Sequence, residues 1–180
     1  MINMGNKNIL AKVYIDGANM FYTQKKLGWF IDWKKVKDFI KGKRETIEFR
    51  YYTGAKQNDD KMNAFLRYLD AIGFIPITKP LKVIKISKDH PARQLHNYTE
   101  IFKSNFDVEM TVDILLDRSN LDEIIIFSGD SDFQYLVKRL KNLGKKVIIY
   151  SSRKTISWEL KLEASHYYYL EDFKEYIYRK

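Results

Sequence analysis

Ile124-Ile125-Ile126-Phe127-Ser128-Gly129-Asp130-Ser131-Asp132-Phe133 is the stretch on which the fold turns. Its four leading apolar residues read as a strand buried on both faces, the pattern of a central strand in a parallel sheet. Ser128 to Asp132 break the run, and Phe133, Leu136, Val137 and Leu140 resume it at helical spacing. The strand therefore delivers Asp130 and Asp132 to its carboxyl end and to the mouth of the next helix. Ligands bind at that edge in open α/β sheets. Two acids placed there repel each other unless a cation or a proton lies between them.

Outward from this stretch, residues 9–15 predict a first strand that ends at Asp16-Gly17-Ala18-Asn19. A helix starts near Asn19 or Met20 and closes at Leu27-Gly28, and Asp32 caps a second over 33–41, ended by Gly42. Ile47, Phe49 and Tyr51 alternate with polar neighbours, predicting a half-buried strand over 46–53. A helix over 59–72, stopped by Gly73, precedes a short strand over 74–78. Residues 79–97 are the least regular. Leu81, Val83, Ile84 and Ile86 suit an edge strand or hairpin arm, and Lys79, Lys82, Lys85, Lys88, His90, Arg93 and His96 suggest an exposed basic flap. Helix resumes over 99–116, with a break or cap at Asp107. After the central strand, 123–127, the pattern predicts helix 132–143, strand 146–150, helix 155–164, strand 167–170 and helix 171–178. Alternating strands and helices predict an α/β fold, a three-layer α/β/α sandwich with a mostly parallel central sheet. No repeat or linker interrupts it, so 1–180 is expected to form a single domain.

Thirty-two Lys and Arg against 23 acids give a net charge of +9, which favours a polyanionic partner. Cysteine is absent, which excludes disulfides and thiolate zinc sites and fits a reducing compartment. No stretch approaches the roughly 18 apolar residues of a membrane span, and the short polar run Met1 to Asn8 carries no apolar core of signal-peptide length. The expectation is a cytoplasmic protein with no membrane attachment.

Asp16 and Asp130 both end strands, and carboxyl ends of adjacent parallel strands lie about 5 Å apart, close enough to share one ion. Asp113 sits among Val112, Ile114, Leu115 and Leu116 on a core-facing helix, where an acid is costly unless paired or liganded. Oxygen-only ligands of this kind suit Mg²⁺ or Mn²⁺. Blander roles compete at each position. Asp132 and Asp107 could simply cap helices, Asp16 could belong to an Asp-Gly turn, and Asp113 could pair with Arg118 or Lys103. Glu109 lies on the same helix face as Asp113 and could join the site or stand exposed. Asn19 is either an N-cap or a contact to phosphate. Ser128 and Ser131, which flank the acids, are turn residues or supports of the site. The three histidines lack metal-ligand spacing, His90 and His96 being surface residues or contacts to substrate. The aromatics read chiefly as core and strand, with exposed ones near the basic flap able to stack bases.

Three segments carry a resemblance: Val13-Tyr14-Ile15-Asp16-Gly17-Ala18-Asn19, Phe106-Asp107-Val108-Glu109-Met110-Thr111-Val112-Asp113, and Ile126-Phe127-Ser128-Gly129-Asp130-Ser131-Asp132-Phe133. Together they resemble the NYN domain family, in particular its LabA-like (DUF88) branch, which belongs with the PIN-like nucleases. The resemblance extends over about residues 9–170. It implies a PIN-like sandwich and a divalent-metal-dependent ribonuclease site. By position, Asp16, Asp113, Asp130 and Asp132 match the acidic cluster, Asn19 the motif asparagine, and Asp107 a further motif acid. The chain departs from the family before Asp107, where Ser104-Asn105-Phe106 replaces the frequent Lys-Gly-aliphatic run.

The leading expectation is a ribonuclease in which Asp16, Asp113 and Asp130 hold Mg²⁺ or Mn²⁺. Asp132 then serves as a further ligand or orients the attacking water, with Asn19, Ser128 and Ser131 near the phosphate. The basic flap would bind single-stranded RNA in a salt-sensitive way. A catalytically silent module that binds RNA or protein shares every feature and stands as the alternative. A phosphohydrolase acting on small phosphates ranks third, because no phosphatase nucleophile loop or Walker loop is present. The PIN-like analogy adds a homodimer.

Overall fold

The structure, a computed structural model, describes residues 9–42, 44–56, 58–85 and 100–180. Strands β1 (Ile9–Asp16), β2 (Arg44–Ala55) and β3 (Ile75–Pro80) form one half of a sheet. Strands β6 (Glu123–Phe127), β7 (Lys146–Ser151) and β8 (His166–Tyr169) form the other half. The order is β3-β2-β1-β6-β7-β8, and every pairing is parallel. The sheet thus grows outward in both directions from β1 and β6, whose junction is the switch point of the topology. A crevice opens at the carboxyl ends of such a pair because the chain leaves the two strands toward opposite sides.

Residue alternation sorts each strand between two apolar layers. Val13, Ile15, Phe49, Tyr51, Ile125, Phe127, Ile148 and Tyr150 face one layer, together with α1 (Gly17–Leu27), α2 (Trp33–Lys41), α3 (Asp60–Ala71) and α7 (Lys174–Ile177). Tyr14, Tyr52, Ile124, Ile126, Val147 and Ile149 face the other, beneath α4 (Asp107–Asp117), α5 (Gln134–Asn142) and α6 (Trp158–Glu163). The three-layer α/β/α sandwich is therefore present, and all five residues of β6 are buried, as the central run requires. At the opposite end of β6, the buried carboxylate of Glu123 pairs with Arg44 at 2.7 Å and Lys146 at 2.7 Å. These partners hold it ionised, below the usual carboxylate range, against the opposing effect of burial. No described helix is long and apolar enough to cross a membrane.

The helix expected over 99–116 opens with a strand of four residues and is helical only from Asp107. Strand β5 (Glu100–Lys103) pairs antiparallel with β4 (Lys82–Lys85), in a hairpin separate from the main sheet. Ile101 and Phe102 carry no period long enough to decide between the two states, so cross-strand pairing decides. Helix α4 begins only at Asp107, whose N–H donates to Asn105 Oδ1 at 2.8 Å. The expected helix over 155–164 shortens to α6, capped by Ser157, and that over 132–143 opens with a 3₁₀ turn, Ser131–Phe133. Most of the basic flap, including Lys88, His90, Arg93 and His96, lies outside the described residues.

Candidate metal centre

Asp16 ends β1 and caps α1: its Oδ1 accepts the Asn19 N–H at 3.0 Å. Its other oxygen accepts the Ser128 hydroxyl at 3.1 Å, directly across the β1–β6 junction. Ser128 is fully buried, and its oxygen also accepts the Asp130 N–H at 3.2 Å. The Asn19 side-chain oxygen accepts the Gly129 N–H at 3.0 Å. Asp16 and Asn19 thus bolt the loop after β6 onto the start of α1. Glycine is required at both crossing points. A Cβ on Gly17 would lie 2.5 Å from the Tyr52 carbonyl, and one on Gly129 would collide with the Thr155 backbone.

Asp107, Asp130 and Asp132 each place a carboxylate oxygen within 4.8 Å of the others. Asp130 caps the 3₁₀ turn, its Oδ1 accepting the Asp132 N–H at 3.0 Å, so the spacing of these two is fixed by backbone. Asp107 arrives from the first turn of α4. Burial raises the Asp107 carboxyl, and the carboxylates of Asp130 and Asp132 raise it further, against hydrogen bonding from Asn105. Burial likewise pushes Asp16 up to about 6, despite the hydrogen bonds from Asn19 and Ser128, with Asp107 and Asp130 adding to the rise. Four neighbouring carboxyl groups that offer only oxygen donors match a hard divalent cation such as Mg²⁺ or Mn²⁺.

Asp113 stands elsewhere. Its Oδ2 accepts the Tyr52 hydroxyl at 2.7 Å and faces the Arg50 guanidinium at 3.3 Å. Six residues along α4 from Asp107 it lies about 9 Å farther down the axis and roughly 120° around it. It belongs to an ion network with Lys12, Glu48, Arg50 and Asp117, in place of the pairing with Arg118 considered from sequence, and the Lys103 side chain lies outside the described residues. Glu109 pairs with Lys79 at 2.5 Å. Ser131 is exposed on the 3₁₀ turn, and His166 is exposed on β8. The Asn19 and Ser128 oxygens hold backbone and carboxylate, so both residues brace the acids.

A cavity of about 820 Å³ adjoins the acids, lined by Asp16, Asn19, Asp107 and Asp130 together with aromatic residues of α1 and α3. The aromatics read from sequence chiefly as core, yet Phe21 and Tyr22 stand exposed. A helical wheel of α1 carries the missing signal, because Met20, Thr23 and Gln24 turn inward and leave Phe21 and Tyr22 outside.

Comparison with known proteins gives a consistent result. A family model described as the NYN domain matches residues 11–171. Low amplitude and bright protein LabA of Synechococcus elongatus is 30% identical over 167 residues, covering 92% of this chain and 86% of that protein. A crystal structure of a protein of unknown function from Vibrio parahaemolyticus superposes with a TM-score of 0.76 at 23% identity. That match covers 94% of this chain and 96% of the other, and it speaks to the fold alone.

Proposed function

The chain belongs to the NYN domain family, a group of PIN-like nucleases, and on that premise we propose that it is a divalent-metal-dependent ribonuclease. One observation carries the reading. Three carboxylate oxygens within 4.8 Å of one another adjoin a buried fourth acid at the switch point of the sheet. The chain around them is strongly basic, so local negative charge suits a cation while the overall +9 suits a polyanion.

Asp107, Asp130 and Asp132 would hold Mg²⁺ or Mn²⁺, with Asp16 beside them. When bound, such an ion supplies charge neutralisation at a phosphate and makes water a stronger acid. The residues of the chain supply position. Ser128 keeps Asp16 and Asp130 at fixed separation, and Asn19 prevents the loop from lifting away from α1. Asp113 acts through packing in this proposal, holding α4 against β2 by way of Tyr52 and Arg50.

Purified protein incubated with single-stranded RNA and Mn²⁺ is expected to cut it, with chelator stopping the reaction. Asp130→Asn or Asp107→Asn should lower the rate by about 100-fold or more, at or beyond the top of the roughly 10–100-fold range for supporting residues of metal sites. Cleavage unchanged by either substitution would remove the proposal. RNA held equally well with and without chelator, and never cut, would favour the silent binding module.

A further inference from the structure

Phe21, Tyr22 and Phe30 are 47%, 60% and 58% exposed, and all three line the cavity beside the acids. Large rings left about half in water forgo part of the gain from burial, and three at one place call for an occupant. Phe65 and Tyr68 line the cavity from α3, their rings stacked at 6.4 Å between centroids and 29° between planes. The cavity volume of about 820 Å³ lies within the range of small-ligand sites, large enough for a planar base and its sugar. Cations accompany the rings: Lys25 Nζ sits 4.4 Å from the Phe21 centroid, and Lys61 and Arg179 line the cavity.

We infer that this cavity is a stacking subsite for unpaired nucleobases of a single RNA strand, an inference that rests on the nuclease reading of the acids. The combination selects this occupant. An apolar peptide would satisfy the rings and waste the cations, whereas a free phosphate would do the reverse. A nucleotide satisfies both, because it joins a flat polarizable face to an anion. Since Asp16, Asp107 and Asp130 line the same cavity, a strand with one phosphate at the acids reaches the rings with the adjoining base. Bases already stacked within a duplex offer no face to these rings, so the subsite discriminates against double-stranded RNA.

Binding measured in chelator separates this claim from cleavage. The probes are a fluorescein-labelled single-stranded RNA, its duplex, and an abasic strand of the same length, read by anisotropy. The single strand should bind about 10-fold or more tighter than the abasic strand, the worth of one stacked base. Phe21→Ala and Phe30→Ala should lose most of that preference, and Phe21→Trp should keep it, which a merely structural ring would not do. Equal affinity for the base-bearing and abasic strands, or alanine variants that bind like the parent protein, would overturn the subsite. If RNA is cut normally while the alanine variants bind as the parent does, the subsite fails and the nuclease stands. If base-dependent binding is found and no cleavage occurs with Mn²⁺, the nuclease fails and the stacking cavity stands.

Discussion

At Asp16, burial favours the neutral carboxyl and a bound cation favours the ionised one. In the metal-free protein its carboxyl is pushed up to about 6, above the ordinary carboxylate value, so protonation favours the folded state. The stability this supplies is complete below about pH 4 and is lost as pH rises through about 6, roughly 3 kcal/mol in all. Urea unfolding across that range, in chelator, should show the decline, and Asp16→Asn should flatten it. Added Mn²⁺ should act in the other sense, raising the unfolding midpoint more above about pH 6 than below it. The same scale separates what could be read from sequence. Asp16 and Asp130 were legible because each ends an apolar strand. The choice between Asp107 and Asp113 was not, because both lie on one helix and periodicity does not say which turn meets the crevice. Tyr52 and Arg50, which claim Asp113, come from a strand more than fifty residues earlier.

Among the elements, the Ser128–Asp132 loop depends on contacts from three directions. Asn19 holds it from α1, Ser128 ties it to β1, and Gly129 packs without a side chain against Thr155. Ser157 N–H also donates to the Gly129 carbonyl at 2.8 Å, so the segment leading into α6 supports the same loop. Gly129→Ala inserts a methyl where the Thr155 backbone and the Ser151 hydroxyl already stand, and backbone cannot swing aside as a side chain tip can. It should cost about 1–3 kcal/mol of stability. Mn²⁺ affinity, followed by calorimetry on the folded variant, should fall with it because Asp130 and Asp132 are displaced together. Central strand β6 was legible in the sequence because burial on both faces leaves a continuous apolar run. Strand β5 was not, since four residues of an isolated hairpin take their conformation from partners distant in the chain.

Over the whole molecule, charge and topology divide the work of recognition. The excess of cations suits a polyanion, and the switch point gathers acids in one place. RNA affinity in chelator should therefore fall with added salt, log affinity declining by about 0.7 per neutralised phosphate for each unit of log salt. The aromatic contribution should survive the salt that erases the electrostatic one, and titration of single-stranded RNA at several salt concentrations reads both.

The alternation of strands and helices made this architecture legible, whereas the cavity was not, because its walls come from separate parts of the chain. One wall depends on residues 177–179. Arg179 N–H donates to the Phe30 carbonyl at 2.9 Å, Asp32 N–H donates to the Ile177 carbonyl at 2.8 Å, and Ile31 bridges Tyr178. Phe30 is therefore set in place only once residues 177–179 exist. During synthesis the ribosome must deliver residues 177–179 before this mouth closes, although every cluster aspartate emerged some forty-five residues sooner. A nascent chain would carry its acids early and its grip late, and a truncation just short of Ile177 would keep the former and forfeit the latter.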